Sequence, residues 1–447
     1  MTFSPSYIAI SGQNKKTFSK TKIIQDNIKL IAFYLPQFHK IPENDEWWGK
    51  GFTEWTNVAK AKPNFDNHYQ PNVPKDLGFY DLSDIEVIRE QASYAKLYGI
   101  HAFCFYYYWF SGQKILQKPI NNFLNSDISI NFCFCWANEN WTRTWDGLEK
   151  DILLEQKYLN GDEEKLIQSL AESFKDKRYI RVANKPLFII YRINALPNPK
   201  LSILKWQNEA KRLGFEGLHI VVVDFYDVST PQEFGADALV EFPPHKFNMP
   251  ENQPGKLPTN IKKSFVGGII DYLKIIEQSI CKKKKNFTLY RGIIPSWDNT
   301  PRRQDSSTVI INSSPKLYGL WLKFLRKYTD YYFKLNDEKL IFINAWNEWG
   351  EGAYLEPDLR WGTSYLEETY KSSFYLEDEV FSSNSINKEI DNVVRILKKE
   401  RNQVNKNIIS LDNNISKKKM FIIFLKKILL STPLLYKFCR KIYYFFK

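Results

Sequence analysis

The stretch Leu340-Ile-Phe-Ile-Asn-Ala-Trp-Asn-Glu-Trp-Gly-Glu-Gly352 carries the pattern that decides the fold. A short apolar run ends here, and a polar, tryptophan-flanked segment with two glutamates follows at once. Seven similar runs precede it, at Leu30–Leu35, His101–Tyr108, Ile130–Cys135, Pro186–Tyr191, His219–Asp224, Ala238–Phe242 and Leu289–Pro295. Most lack the polar alternation of a half-exposed strand, which is typical of parallel strands buried on both faces.

Stretches with helical periodicity lie between several of these runs. They are Ser83–Leu97, Asp162–Phe174, Leu201–Leu213, Ile269–Ile280, Pro315–Phe333 and Thr363–Phe374. Eight strands with intervening helices predict an α/β fold, a (β/α)₈ barrel of the TIM type. A doubly wound sheet is the alternative, but no strand runs into a glycine-rich phosphate loop.

Two long insertions follow predicted strands. Pro36–Leu82 contains Trp47, Trp48 and Trp55, and Pro243–Phe265 is rich in Pro, Asn and Lys. In a barrel the loops after the strands build the active-site face. We therefore expect both insertions to border the site.

The net charge of +13 over 447 residues is concentrated at one end of the chain. Residues 417–447 hold nine Lys and Arg and no acidic residue, which leaves 54 basic and 50 acidic residues elsewhere. Neither a basic stripe nor a zinc-finger spacing occurs in the body of the chain. Nucleic acid is therefore excluded as the main partner.

The five cysteines do not form a disulfide or zinc pattern, since their number is odd and no CxxC pair occurs. Met1 to Asn27 is polar and has no apolar run of signal-peptide length. These features favour a reducing, cytoplasmic setting. Neither a cofactor nor a metal is expected.

We divide the chain into a polar N-terminal extension (1–27), a barrel domain (28–376), a charged helical linker (377–416) and a basic tail (417–447). On a helical wheel the tail places its cations on one side and Ile, Leu and Phe on the other. This amphipathic pattern predicts a helix that lies in an anionic membrane surface, which would locate the protein peripherally at the inner membrane. The alternative is a tail that packs on the barrel.

Glu348 and Glu351 are the main candidates for catalysis. If the last strand ends near Asn347 and the chain then turns helically, positions three apart return to the same side. Two carboxylates with different pKa values can then serve as base and acid toward one substrate. The competing interpretation is a solvated loop with two ordinary glutamates.

Polar and aromatic residues follow the other predicted strands and are candidates for substrate binding. They are Tyr34, His39, Trp55, Tyr107, Trp136, Asn138, Glu139, Trp141, Arg192, Asp224, Trp297, Asp298, Trp346, Asn347, Trp349 and Glu356. The tryptophans are expected to offer stacking faces for sugars or to seal the barrel rim. Glu139 could hold a sugar hydroxyl or pair with Arg143 or Arg192, and Asp298 could bind a hydroxyl or cap a helix. A structural role is favoured for His39 and for His68.

Four segments resemble those of a known family. They are Ala32-Phe-Tyr-Leu-Pro-Gln-Phe-His39, Trp47-Trp-Gly-Lys-Gly-Phe-Thr-Glu-Trp-Thr-Asn57, Trp136-Ala-Asn-Glu-Asn-Trp141 and Ala345-Trp-Asn-Glu-Trp-Gly-Glu-Gly-Ala-Tyr-Leu-Glu-Pro357. The chain is similar over roughly residues 30 to 370 to the WbsX-type proteins of bacterial lipopolysaccharide O-antigen and polysaccharide gene clusters, which are commonly called glycosyltransferases. These proteins are related to glycoside hydrolase family 99, the endo-α-mannosidases, which are (β/α)₈ barrels.

The resemblance implies roles for the two glutamates. Glu348 matches the residue that assists the sugar's own 2-hydroxyl, giving an epoxide-like intermediate, and Glu351 matches the acid/base. The hydrolases usually carry His-Glu-Gly-Thr where this chain has Gly350-Glu351-Gly352-Ala353. This departure argues against carrying over mannosidase specificity.

Together these features predict a glycan-active enzyme that cleaves or transfers glycosyl units during surface polysaccharide assembly. An α-mannose-like sugar is one candidate for the unit. The expected partners of the enzyme are a glycan or lipid-linked oligosaccharide and an anionic membrane surface. The alternative is a carbohydrate-binding barrel without turnover.

Overall fold

The computed structural model describes residues 23–143, 148–247, 258–376, 381 and 385–400. Its centre is a closed barrel of eight parallel strands. They are Lys29–Tyr34 (β1), Ile100–Phe110 (β2), Asn131–Trp136 (β3), Lys185–Ile190 (β4), His219–Val223 (β5), Ala238–Val240 (β6), Leu289–Ile293 (β7) and Leu340–Ile343 (β8). Each strand pairs with the next, and β8 closes on β1 through the register Leu340↔Lys29. The predicted (β/α)₈ barrel is confirmed, and all eight apolar runs form its strands.

Helices surround the barrel. They are Pro42–Trp48 (α1), Trp55–Lys60 (α2), Ile85–Leu97 (α3), Gln117–Leu124 (α4), Asp162–Lys175 (α5), Pro199–Arg212 (α6), Tyr272–Ile280 (α7), Thr300–Arg303 (α8), Pro315–Tyr332 (α9) and Ser364–Lys371 (α10). Five of the six predicted helical stretches match within a few residues. The sixth begins later because Gly268–Asp271 forms a strand, and the Asp271 side chain then caps α7 by accepting a hydrogen bond from Leu273 N–H.

Short strands attach at the ends of the barrel. Ile23–Gln25 pairs with Phe374–Leu376, Gln113–Ile115 with β2, Trp141–Arg143 with Leu148–Leu154, Arg181–Val182 with β4, Gly268–Asp271 with Thr308–Ile311, and Asn347–Glu348 with Ala353–Tyr354. The barrel interior is packed with side chains rather than open. The ring of Phe33 lies 4.9 Å from that of Phe242 and 5.8 Å from those of Tyr106 and Phe342.

Residues on both sides of the predicted barrel domain, 28–376, pack against it. Asp26 forms a buried ion pair of 2.6 Å with Arg326 of α9. Residues 386–400 are helical, and Val393 and Leu397 of this helix are buried against the barrel domain. Part of the predicted linker is therefore a docked helix.

The predicted basic tail lies outside the described residues. Within the described part of the chain, no helix combines the length and the apolar character needed to cross a bilayer.

Candidate active site

A tight turn after β8 presents the two candidate catalytic glutamates. Glu348 ends the two-residue strand Asn347–Glu348, and Glu351 ends the 3₁₀ turn Trp349–Glu351. Gly352 follows with φ +62°, a left-handed conformation in which glycine avoids the strain that a side chain would cause. The chain then returns as Ala353–Tyr354 and pairs with Asn347–Glu348.

Both glutamates contact one guanidinium group, that of Arg302. Arg302 Nη2 lies 2.8 Å from Glu348 Oε1, and Arg302 Nη1 lies 2.9 Å from Glu351 Oε1. The same guanidinium also pairs with Glu54, through Nε to Oε1 and through Nη2 to Oε2 at 3.0 Å. Three carboxylates thus share one cation.

The three carboxylates differ in how many of their oxygens are occupied. Glu54 is fully buried and uses both oxygens, since Gln37 Nε2–H also donates to its Oε2. Glu348 and Glu351 each give only Oε1 to Arg302, and among the described residues nothing donates a hydrogen bond to their Oε2 atoms. The two candidate catalytic groups therefore each keep one oxygen for a substrate.

The charge balance of this cluster favours bound protons. Burial raises the pKa of Glu348 well above its usual range and raises the pKa of Glu351; Arg302 opposes both shifts, and the charge of Glu54 adds to both. One guanidinium cannot neutralise three carboxylates that lie within reach of one another. The cluster therefore keeps its carboxyl groups protonated to a higher pH than isolated glutamates would be.

Asp298 is a structural residue that fixes α8, the helix that carries Arg302. Its Oδ2 accepts hydrogen bonds from His68 Nε2 (2.6 Å) and Gln70 Nε2 (2.5 Å). Its Oδ1 accepts from Thr300 N–H (3.0 Å) and Thr300 Oγ–H (2.5 Å) at the start of the helix. Asp298 precedes the N-cap residue Asn299, so these contacts fix the start of α8 much as a cap would, and hydroxyl binding by Asp298 stays a prediction.

Glu356 lies in a buried network beneath the turn. Its carboxylate accepts hydrogen bonds from Trp349 Nε1 (2.6 Å), Tyr80 Oη (2.9 Å) and Gln91 Nε2 (2.6 Å). Tyr34, which is fully buried, donates from its hydroxyl to Gln91 Oε1 at 2.6 Å. Burial raises the pKa of Glu356 to about 7, while its three hydrogen bonds lower it. Tyr34, Trp349 and Glu356 therefore form a buried network that supports the turn, and their contact with substrate stays a prediction.

Two asparagines join neighbouring strand ends in the same way. Asn347 Oδ1 accepts from Leu35 N–H (2.8 Å), and Asn347 Nδ2 donates to Leu35 O (3.0 Å). Asn138 Oδ1 accepts from Arg192 N–H (2.8 Å), and Asn138 Nδ2 donates to Arg192 O (2.7 Å). Both side chains are buried, so they hold the backbone of the rim rather than contact a sugar.

The tryptophans expected to stack on sugars are buried. Trp136 (2% exposed) donates from Nε1 to Trp109 O at 3.1 Å, and Trp346 (0% exposed) packs 5.2 Å from Phe103. Trp141 lies 5.2 Å from Tyr108, and Trp297 lies 6.2 Å from His245. In this structure Trp136 and Trp346 seal the rim, which was the alternative for both, and stacking of either ring on a sugar stays a prediction.

Two partly exposed tyrosines, Tyr108 and Tyr191, lie within electrostatic reach of the carboxylates. Burial and the charge of Glu348 raise the pKa of Tyr108, and burial and the charges of Glu139 and Glu351 raise that of Tyr191. Both rings keep some exposed surface. They are the aromatic faces that a sugar near Glu348 and Glu351 could reach.

Glu139 and Arg192 follow β3 and β4 at the same end of the barrel as the two glutamates. Burial raises the pKa of Glu139, Arg192 opposes this shift, and the charge of Glu351 adds to it. Arg192 Nε lies 3.7 Å from Glu139 Oε1, and the Arg192 guanidinium lies 4.6 Å from the centre of the Phe225 ring. This geometry matches the ion pair considered for Glu139, with both side chains still partly exposed. Asp224 forms a shorter ion pair of 2.5 Å with Lys246.

Three remaining candidates are buried, and one of them, Trp55, packs 5.6 Å from Trp349 of the turn. The Tyr107 hydroxyl lies 3.0 Å from Ser169 Oγ of α5, and Trp55 Nε1 donates to Tyr80 O at 2.8 Å. His39 is 1% exposed, and burial lowers its pKa, which keeps the ring neutral. These contacts fit the structural role that the sequence favours for His39.

Glu54 and Arg302 were not among the predicted site residues. Glu54 lies in the quoted Trp47–Asn57 segment, in which the tryptophans are the more conspicuous candidates for a sugar site. Arg302 follows Trp297-Asp298 in a segment, Asn299-Thr-Pro-Arg-Arg303, whose residue pattern does not mark a site. Within the described part of the chain, no three His, Cys, Asp or Glu side chains are grouped to hold a metal ion.

The fold and the site define a (β/α)₈ barrel protein with a carboxylate cluster at the carboxyl ends of its strands. The chain belongs to the family described as glycosyltransferase WbsX, which matches residues 30–369. The resemblance found in the sequence is thereby confirmed.

Two relatives are described as uncharacterized protein WxcX, from Xanthomonas campestris pv. campestris strains ATCC 33913 and B100. Each is 41% identical to this chain over 345 residues, which is 76% of this chain and 49% of the relative. The chain thus spans about half the length of these relatives.

Solved structures similar to this chain include the GH99 endo-alpha-mannosidase from Bacteroides thetaiotaomicron in complex with bis-tris propane. That structure has a TM-score of 0.48 and 15% identity, covering 78% of this chain and 97% of its own. A glycoside hydrolase-like protein has a TM-score of 0.48 and 13% identity, covering 80% of this chain and 96% of its own.

Proposed function

We propose that this protein is a glycan-active enzyme that cleaves or transfers glycosyl units with net retention, using Glu348 and Glu351. The observation that carries this proposal is their shared contact with Arg302, which leaves Oε2 of each glutamate open to a substrate. Family membership supports it, because the family is described as glycosyltransferases. The fold alone would not, since barrels serve many functions.

In the first half-reaction Glu348 takes the proton of the sugar's 2-hydroxyl as that oxygen attacks C1. Glu351 gives its proton to the glycosidic oxygen, so the C1–O bond breaks and the leaving group departs neutral. Burial raises the pKa of Glu351, and it raises that of Glu348 further. The assignment of Glu348 as base and Glu351 as acid therefore rests on the match to the family's motif, not on these two pKa shifts. The product on the enzyme is a 1,2-epoxide of the sugar.

In the second half-reaction the roles reverse. Glu351 takes a proton from water or from an acceptor hydroxyl, whose oxygen attacks C1 and opens the epoxide. Glu348 returns its proton to O2. Two inversions at C1 give net retention, and each carboxyl group ends in its starting state.

The biological setting we propose is assembly of a bacterial surface polysaccharide such as an O-antigen. The support is the resemblance to proteins of O-antigen and polysaccharide gene clusters, together with the basic amphipathic pattern of residues 417–447, which would bring the barrel to lipid-linked glycans at the inner membrane. That pattern is a property of the sequence, since the segment lies outside the described residues.

The test is turnover of an α-mannosyl fluoride and of a panel of lipid-linked oligosaccharides, with the product's anomeric configuration read by proton NMR. Retention supports the proposal. An inverted product would contradict the mechanism. Binding of the panel without turnover would instead support a carbohydrate-binding barrel, the competing function.

A further inference from the structure

We propose that Arg302 is the positioning residue of this site, and that Glu54 and Gly350 hold Arg302 where it can orient both Glu348 and Glu351. This inference rests on the proposed function for its catalytic meaning. The positions of the Glu348 and Glu351 carboxylates, and their dependence on Arg302, can be measured whether or not the protein turns over a glycan.

The contacts of Arg302 require the planar fork of a guanidinium. Its Nε and Nη2 form a bidentate pair with Glu54, while Nη2 and Nη1 reach Glu348 and Glu351. Two terminal nitrogens at a fixed separation set the spacing of the two Oε1 atoms. A lysine ammonium is a single point charge on a flexible stem and cannot impose this spacing.

Glu54 anchors the arginine rather than taking part in the reaction. Its side chain is fully buried, and both of its oxygens are occupied by Arg302 and Gln37. A carboxylate with no free oxygen and no exposed surface cannot contact a sugar. Its bidentate ion pair fixes the position of the guanidinium, which is also attracted by the Glu348 and Glu351 carboxylates.

Gly350 leaves the space in which this ion pair lies. A Cβ atom on residue 350 would overlap with Glu54 Oε1 and would come within 2.8 Å of Arg302 Nε. Any larger residue would therefore displace the Glu54–Arg302 pair. Gly350 and the Glu54–Arg302 pair that fills the space beside it therefore form one coupled feature of this chain.

The backbone that carries Arg302 is held by its own surroundings and is also tied to the turn, since Asp298 N–H donates to Glu351 O at 2.6 Å. The four hydrogen bonds accepted by Asp298 hold the start of α8, and Asn299 Oδ1 accepts from Thr308 N–H at 2.7 Å. The guanidinium is thus presented from a rigid helix to a turn on a different strand. Such an arrangement orients side chains before a substrate arrives.

The experiment compares Arg302→Met and Arg302→Lys with the full-length wild type, by crystal structure and by steady-state kinetics on the substrate identified in the turnover panel. Arg89→Met, on the exposed face of α3, is the control. In Arg302→Met we expect the Glu348 and Glu351 carboxylates to leave their positions and kcat to fall about 100-fold with KM nearly unchanged. Arg302→Lys should restore charge and part of kcat, but not the spacing.

Both carboxylates unmoved in Arg302→Met would overturn the inference, whatever the activity. If the wild type turns over no substrate, the proposed function fails, but the carboxylate positions still decide this inference. If Arg302→Met does not fold, the Glu54→Gln variant tests the inference instead. The glutamine keeps the shape of Glu54, but its NH₂ group must face the donors of Arg302 or Gln37, so Arg302 should shift.

A matched glycine pair adds a second measurement. Gly350→Ala should displace Arg302, whereas Gly268→Ala meets only ordinary contacts with Thr308 at 3.8–3.9 Å and should leave the site intact. Gly350→Ala or Glu54→Gln with Arg302 in its wild-type position and unchanged kcat would count against the inference.

Discussion

The carboxylate of Glu356 accepts a hydrogen bond of 2.6 Å from the indole Nε1–H of Trp349, the residue that follows Glu348 and lies two positions before Glu351. Glu356 is itself buried and is not part of the carboxylate cluster around Arg302. An acid below the turn thus fixes the backbone that carries both candidate catalytic groups. Because burial raises its pKa to about 7, this support depends on pH.

The first prediction concerns the pH dependence of stability. The pKa of Glu356 in the folded protein lies above its ordinary value of 4.5, so its contribution is full below pH 4.5 and is lost as the pH rises through 7. At about 1.4 kcal/mol per pH unit, the loss is about 3 kcal/mol. Glu356→Gln should remove this dependence, measured as the wild-type minus variant free energy of unfolding in urea between pH 4 and 8.

Glu233→Gln is the control, since Glu233 is exposed and should show a constant difference from wild type. A difference for Glu356→Gln that stays constant from pH 4 to 8 would show that Glu356 does not titrate in this range.

The second prediction concerns Asp298, which fixes α8. In Asp298→Asn an amide NH₂ must face either the His68 and Gln70 donors or the Thr300 donors, so buried groups lose their acceptor. We expect a loss of about 1–3 kcal/mol in the free energy of unfolding, together with a lower kcat. Calorimetry and steady-state kinetics measure the two effects. Asp127→Asn, at an exposed position, should change neither, and an Asp298→Asn variant as stable and active as wild type would refute its role in fixing α8.

The third prediction separates aromatic residues that seal the rim from those that face a sugar. Trp136→Ala should cost about 3–5 kcal/mol of stability because the ring is buried. Tyr191→Ala should leave the fold largely intact and weaken glycan binding, measured by calorimetric titration with the best oligosaccharide of the panel. Unchanged binding in Tyr191→Ala would remove this residue from the site.

The fourth prediction concerns residues 417–447. The full chain should float with anionic vesicles at low salt, each cation near the surface contributing about 1 kcal/mol, and should lose this binding at high salt. A chain truncated at Ile415 should not float, and neutral vesicles should retain neither protein. Equal flotation of the truncated and full chains would show that the tail is not the anchor.

The barrel could be predicted from the sequence because burial on both faces leaves a direct compositional signal. Runs such as His219–Asp224 have apolar residues at consecutive positions, and β5 occupies this run with every residue buried. The strand Gly268–Asp271 was missed because it pairs outside the barrel, with Thr308–Ile311, and its sequence continues directly into α7. Periodicity alone does not separate the two elements.

The candidate site could be predicted only in part. Glu348 and Glu351 follow a predicted strand, so their position could be inferred from chain order. Arg302 and Glu54 are 248 positions apart in the chain and meet only because the loops after β1 and β7 fold over the same barrel end. The orientation of the tryptophans could not be predicted because a side chain's type does not reveal which way it faces, and Trp346 faces Phe103 inside the protein.

The central claim is that Glu348 and Glu351 carry the chemistry, and the most direct test is the turnover number of Glu348→Gln and Glu351→Gln on the substrate that the panel identifies. Each variant should lose about 10²–10⁴-fold in kcat, while its circular dichroism and glycan affinity stay close to those of the wild type and Glu233→Gln stays fully active. Near-native kcat in both glutamine variants would contradict the account.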